Sequence, residues 1–125
     1  MRTVLCVGFA GAIGAILRVC IGQFTYGFSE FPIATFTVNM IGTFLLCFLS
    51  TGFIQRLKLD HDLQTAVTTG FLGSFTTFSA FSMETVNLIQ NDAVLMGLFY
   101  IASSIVGGFL FGMIGMRIGR KEGRE

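Results

Sequence analysis

Few side chains in this sequence can do chemistry, and those few lie inside long apolar runs. Arg18 interrupts the first run, Asn39 sits in the second, Glu84 lies late in the third, and Tyr100 and Ser104 fall one helical turn apart in the fourth. Polar groups in such surroundings are expensive to keep, so each is a functional candidate. Arg18 either snorkels to the interface or turns inward in a structural or vestibule role; Gly14, one turn earlier on the same face, favours the inward reading. The Asn39 amide offers two donors and an acceptor. It serves either an interhelical hydrogen bond worth about 1 kcal/mol or a desolvated anion. Glu84 is interfacial, or else a gate or a proton site.

The most unusual stretch runs from Thr68 to Ser82 and combines Gly70 and Gly73 with a series of hydroxyls and β-branched threonines. Such a stretch makes a poor helix, and a break at membrane depth is tolerated only where protein or a cavity takes up the freed backbone groups. Freed carbonyls there can bind a cation, as broken helices do in transporters. After the break, Phe78 and Phe81 are three apart and share a helical face. A Phe stripe is ordinarily core, but a ring edge carries partial positive charge and can face an anion. In the fourth run Tyr100, Ser104, Gly108 and Gly112 form one stripe, either a polar track or ordinary small-residue packing.

No enzyme is specified. His61 stands between Asp60 and Asp62 in a connection, where such a cluster is solvated, and no spacing pairs a nucleophile with a base. Cys6, Cys20 and Cys47 are an odd number placed in apolar runs, so they fit neither a disulfide framework nor a zinc site and are expected to pack.

The elements that must position these residues follow from composition. Of 125 residues, 12% are charged and 53% hydrophobic, with 15 Phe and no Trp. A soluble domain carries about 25% charged residues, and a chain this short has too much surface to do with half of that. The net charge of +1 excludes a basic field for nucleic acid. Four apolar segments are expected, at about 3–24, 32–55, 63–90 and 93–116, within a single domain. Each reaches the roughly 20 residues needed to cross hydrocarbon as a helix. The first continues past any cleavage site, so it reads as a span and not as a leader. Short connections at Thr25–Phe31, Arg56–Asp62 and Asn91–Asp92 leave no room for a soluble domain. Gly8, Gly11, Gly14 and Ala15 in the first segment, and Gly107, Gly108, Gly112, Gly115 and Gly119 in the fourth, are expected at helix contacts.

Both termini fall on one side, which collects Arg2, Arg56, Lys58, Arg117, Arg120, Lys121 and Arg124, while the opposite connections carry no Lys or Arg. Taken alone, that asymmetry predicts both termini in the cytoplasm.

Gly14-Ala15-x-x-Arg18, Asn39 followed by Gly42, and Gly73-x-x-Thr76-Thr77-Phe78-Ser79-x-Phe81, in this order, resemble the Fluc (CrcB) fluoride channels over the whole chain. The resemblance implies an all-α membrane protein of four transmembrane helices with the third broken mid-membrane. It also implies insertion in the plasma (inner) membrane as an antiparallel, dual-topology homodimer with two passive fluoride-exporting pores. By the same resemblance Phe78 and Phe81 line the pore with ring edges and Asn39 donates to the ion. Thr77 and Ser79 lie on the same anion pathway, and Tyr100 and Ser104 begin the polar track. Gly73 and Thr76 offer backbone carbonyls to a central structural Na⁺, while Arg18 and Glu84 sit at a vestibule and pore entrance. Gly108 and Gly112 depart from the hydroxyl residues that the pattern leads one to expect. The seven-to-none count of Lys and Arg conflicts with dual topology, and the resemblance is preferred because four helices alone hardly enclose a selective pore. Fluoride is small and tightly hydrated, so a pore must replace its water with donors. Two further readings stand beside the channel: a proton-coupled four-helix exporter using Glu84, and a non-transporting membrane subunit packed through its glycines.

Overall fold

The structure, a computed structural model, describes residues 1–25, 27 and 30–123; Tyr26, Phe28 and Ser29 of the first connection and Arg124 of the basic side lie outside the described residues. Among the described residues every regular element is helical. They run in the order α1 (Arg2–Thr25), α2 (Ile33–Phe48), α3 (Ile54–Arg56), α4 (His61–Thr65), α5 (Gly73–Phe75), α6 (Phe78–Gln90) and α7 (Val94–Glu122). Wide π-type turns at Leu49–Phe53 and Ala66–Leu72 join α2 to α3 and α4 to α5. Three stretches are long and apolar enough to cross a membrane: Arg2–Phe24, Ile33–Phe53 and Val94–Glu122.

Two departures from straight helices matter. Gly52, at φ 125°, bends the end of the second span, and that conformation suits a residue without a Cβ. The Thr51 hydroxyl donates to the Cys47 carbonyl at 2.7 Å just before the bend. The other departure falls at Thr76 and Thr77, both extended (ψ 155° and 123°), which separate α5 from α6. Gly70 and Gly73 lie before this interruption, inside the wide turn and α5.

Close backbone approach holds the helices together. A Cβ on Gly14 would run into the Phe71 carbonyl, and one on Gly70 would lie 2.6 Å from the Val7 carbonyl, so α1 presses on the wide turn before α5. A Cβ on Gly115 would lie 2.5 Å from the Phe44 carbonyl and one on Gly107 would lie 2.9 Å from the Met40 sulfur, which packs α7 against α2. Gly8 does not share this role: it is exposed, with nothing within 4 Å of a Cβ built there. Few large side chains are buried, Val38, Leu72, Phe75 and Tyr100 among them. Val4, Phe9 and Ile16 of α1, and Leu95, Phe99, Ile105 and Phe109 of α7, point outward, as they would in hydrocarbon. At the end bearing the N-terminus, Arg2 pairs with Asp60 at 3.5 Å and with Asp62 at 3.6 Å. The Thr3 hydroxyl also donates to Asp62.

Candidate functional site

The interruption between α5 and α6 organises the site. Asn39, midway along α2, reaches it with both ends of its amide: Nδ2 donates to the Thr77 carbonyl at 3.0 Å and Oδ1 accepts the Thr77 N–H at 2.8 Å. The extended Thr77 peptide is thus satisfied from a neighbouring helix, as a break at membrane depth requires. Of the two Nδ2 hydrogens, one is spent on this contact and one is left to donate elsewhere. The Thr77 hydroxyl caps α6 by accepting from Ala80 N–H at 3.2 Å and lies 3.2 Å from the Ser79 hydroxyl.

These contacts free particular carbonyls. In a continuous helix the Thr77 N–H would go to Gly73 and the Ala80 N–H to Thr76. Here they go to Asn39 and to the Thr77 hydroxyl, so the Gly73 and Thr76 carbonyls lose their helical donors. Gly73 is exposed on the surface of the chain. Thr76 remains tied back to Leu72, its N–H at 3.0 Å and its hydroxyl at 2.9 Å from that carbonyl. Ser74 accepts from the Arg18 Nε at 3.2 Å, so the guanidinium from α1 sits at the carbonyl end of α5, where a cation is favoured. Among the described residues no cluster of His, Cys, Asp and Glu could hold a metal ion.

Two cavities flank the interruption, and Thr77 is the one described residue that lines both. The first, about 330 Å³, gathers Asn39, Thr43, Thr76, Thr77, Phe78, Phe81, Ser104 and Gly108. Phe78 is 79% exposed along it, and its ring lies 5.8 Å from that of Phe81. The second, about 380 Å³, holds Arg18, Thr35, Thr77, Ala80 and Glu84. Glu84 is fixed there by two hydroxyls, Thr35 donating to Oε1 at 2.7 Å and Tyr100 to Oε2 at 2.8 Å.

The structure therefore brings together Asn39, Thr77, Phe78, Phe81 and Ser104 on one side, and Arg18 with Glu84 on the other. It does not continue the stripe of α7 as a single track. Tyr100 is fully buried, its ring against Phe81 (5.0 Å) and Phe31 (5.2 Å), and its hydroxyl serves Glu84. Gly112 faces Cys47 and Thr43. Ser79 is exposed beside Thr77 and lines neither cavity. Sequence reasoning missed Thr35 and the Ser74 carbonyl. Thr35 lies one turn before Asn39 on the same face of an apolar segment, a signal that was there to read; a backbone acceptor leaves none.

The pattern of the CrcB-like protein family (Camphor Resistance, CrcB) matches residues 5–116. A Bacillus cereus protein named fluoride-specific ion channel FluC 1 is 41% identical over 115 residues, covering 90% of this chain and 84% of its own length. Similar proteins are a FluC 1 from Desulfitobacterium hafniense, 39% identical over 108 residues (86% and 95%), and a FluC 2 from Listeria innocua, 38% identical over 117 residues (94% and 90%).

Proposed function

The chain belongs to the CrcB family, and from that premise we propose that it is the subunit of a passive fluoride-selective channel and not an enzyme. The observation that carries the reading is the groove in which the Asn39–Thr77 pair meets the rings of Phe78 and Phe81 and the Ser104 hydroxyl. The free Asn39 N–H and the ring edges are donors without fixed charge. They can replace part of fluoride's hydration while offering little to a larger, softer anion. Arg18 draws anions into the adjoining cavity, and Glu84, held by Thr35 and Tyr100, marks its edge.

The groove is open on the subunit surface, so it needs a second subunit to close it. Crossing four times, with 61–75 and 78–90 together forming the broken third span, two copies inserted antiparallel make a homodimer with two pores. The interruptions of the two subunits would then lie close to their common axis, where the Gly73 and Thr76 carbonyls are hard oxygen ligands suited to Na⁺. Such an ion adds positive charge beside the pathway and holds the subunits together.

The experiment is efflux from liposomes holding the purified protein, followed with fluoride- and chloride-selective electrodes at neutral pH without a proton gradient. Fast fluoride release with negligible chloride release is expected; silence for both ions returns the choice to a non-transporting subunit or a proton-driven exporter. A tag at the C-terminus, probed from each face, tests the assembly separately. Accessibility from both faces is expected of antiparallel copies, and labelling from one face only overturns dual topology.

A further inference from the structure

α7 carries two stripes. Gly112, Gly115 and Gly119 are buried, and the latter two press on the Phe44 and Phe48 carbonyls of α2. Leu110, Met113, Ile114, Arg117 and Lys121 recur at helical spacing with Arg120 beside them, and all six are exposed. At about 100° per residue, this second stripe lies on the side of α7 opposite to the first. Ser104 and Gly108, which line the Phe78 groove, fall with the first stripe. A subunit closing that groove therefore leaves the second stripe facing lipid.

Its two halves differ in chemistry. The ~20 residues that cross hydrocarbon, counted from Val94, end close to Ile114, so the apolar half lies at acyl-chain depth and the cations at headgroup level. The side chains of Arg117, Arg120 and Lys121 make no ion pair or hydrogen bond among the described residues. Arg2 is engaged with Asp60 and Asp62 and Arg56 with the Glu122 carbonyl, whereas Lys58 is exposed without a side-chain partner among the described residues but stands alone, off the stripe. Glu122, the neighbouring acid, makes no ion pair among the described residues and lies about 100° round the helix from Lys121. The two halves line one hollow of about 840 Å³.

We propose that this face of α7 binds an anionic phospholipid, its phosphate held by Arg117, Arg120 and Lys121 and an acyl chain laid along Leu110, Met113 and Ile114. Charge complementarity selects an anionic ligand, since three cations at headgroup depth that no described acid compensates suit a phosphate. The apolar half continuing into hydrocarbon selects a lipid over free phosphate. The inference rests on the chain spanning a membrane with the groove side of α7 turned to its partner, and it stands whether or not the chain conducts fluoride.

Purified protein in neutral detergent is titrated with phosphatidylglycerol, with phosphatidylcholine of the same chains, or with inorganic phosphate, and thermal unfolding is followed. Phosphatidylglycerol is expected to raise Tm saturably, and the other two to leave it in place. Arg117→Gln, Arg120→Gln and Lys121→Gln should each weaken the half-saturating concentration by roughly fivefold. Arg120→Lys, which keeps the charge, and Lys58→Gln, which lies off the stripe, should stay at the wild-type value. The proposal is overturned by an equal response to phosphatidylcholine, by saturation with phosphate alone (an ion site without a lipid), by an unchanged half-saturation in all three Gln variants, or by an equal loss in Lys58→Gln.

Discussion

The two cavities that share Thr77 are similar in size and opposite in chemistry. One contains a guanidinium and a carboxyl group, Arg18 and Glu84, each immobilised by hydrogen bonds to fixed partners. The other holds no charged side chain among the described residues and offers an amide, hydroxyls and two aromatic rings. Charge attracts an ion from a distance but also traps it, whereas neutral donors let it go again. A channel for a strongly hydrated anion gains from having the first kind of site outside and the second along its narrow part. Thr77 stands at the junction and lines both, and Asn39, which holds it, lies on the neutral side.

Placing charge on the neutral side should have the largest effect. Asn39→Asp still accepts the Thr77 N–H but loses the donor to the Thr77 carbonyl and the spare N–H. A fixed charge about 4 Å from a passing anion costs ~4 kcal/mol at the effective dielectric of a protein surface, roughly a thousandfold in occupancy. Fluoride efflux is expected to vanish while the protein still purifies as the same oligomer; normal efflux would remove Asn39 from the pathway.

The two phenylalanines come next and separate function from packing. Phe78 is mostly exposed, whereas the Phe81 ring packs at a tilt against both Phe78 and Tyr100. Replacing either by Ile removes a ring edge, with an expected loss of about tenfold in efflux, since an aromatic contact is worth ~0.5–1.5 kcal/mol. Only Phe81→Ile should also lower Tm. Unchanged efflux in both variants would mean that the rings serve packing alone.

A smaller effect is expected on the charged side. Glu84→Gln retains an acceptor oxygen but cannot accept from Thr35 and Tyr100 through two oxygens as before. Loss of one such bond, about 1 kcal/mol, corresponds to a roughly fivefold fall in efflux. Complete loss would instead identify Glu84 as a proton carrier and favour an exporter.

How much of this was legible in the sequence depended on the range of the interaction. The interruption of the third segment could be read from its glycines and threonines, because it is written in local backbone preference. That the helix resumes by Phe78 was part of that reading, but what fixes the interruption at Thr76–Thr77 was not: the Asn39 amide, from 38 residues away, and the Thr77 cap. The glycine seam of α7 was visible as spacing, although spacing alone also enrolled the exposed Gly8. Tyr100 shows the limit of a periodic stripe. Its position on the helix predicted a shared face with Ser104, yet a long side chain follows its hydrogen-bond partner, and Glu84 drew it away from the groove. The bend at Gly52 was hidden in an unbroken apolar run.

Thr35 offers the finest test of the contrast between the two cavities, because it touches the charged side without carrying charge. Thr35→Ala deletes one of the two hydroxyls on Glu84 and leaves Tyr100 in place. The expected cost is about 1 kcal/mol of stability, read as a drop of a few degrees in Tm, with efflux changed less than by Glu84→Gln. Because the two side chains share one bond, the double variant should lose less than the sum of the single losses. Strict additivity would mean that Thr35 and Glu84 act independently, and the fixed carboxylate at the edge of the cavity would then have to rest on Tyr100 alone.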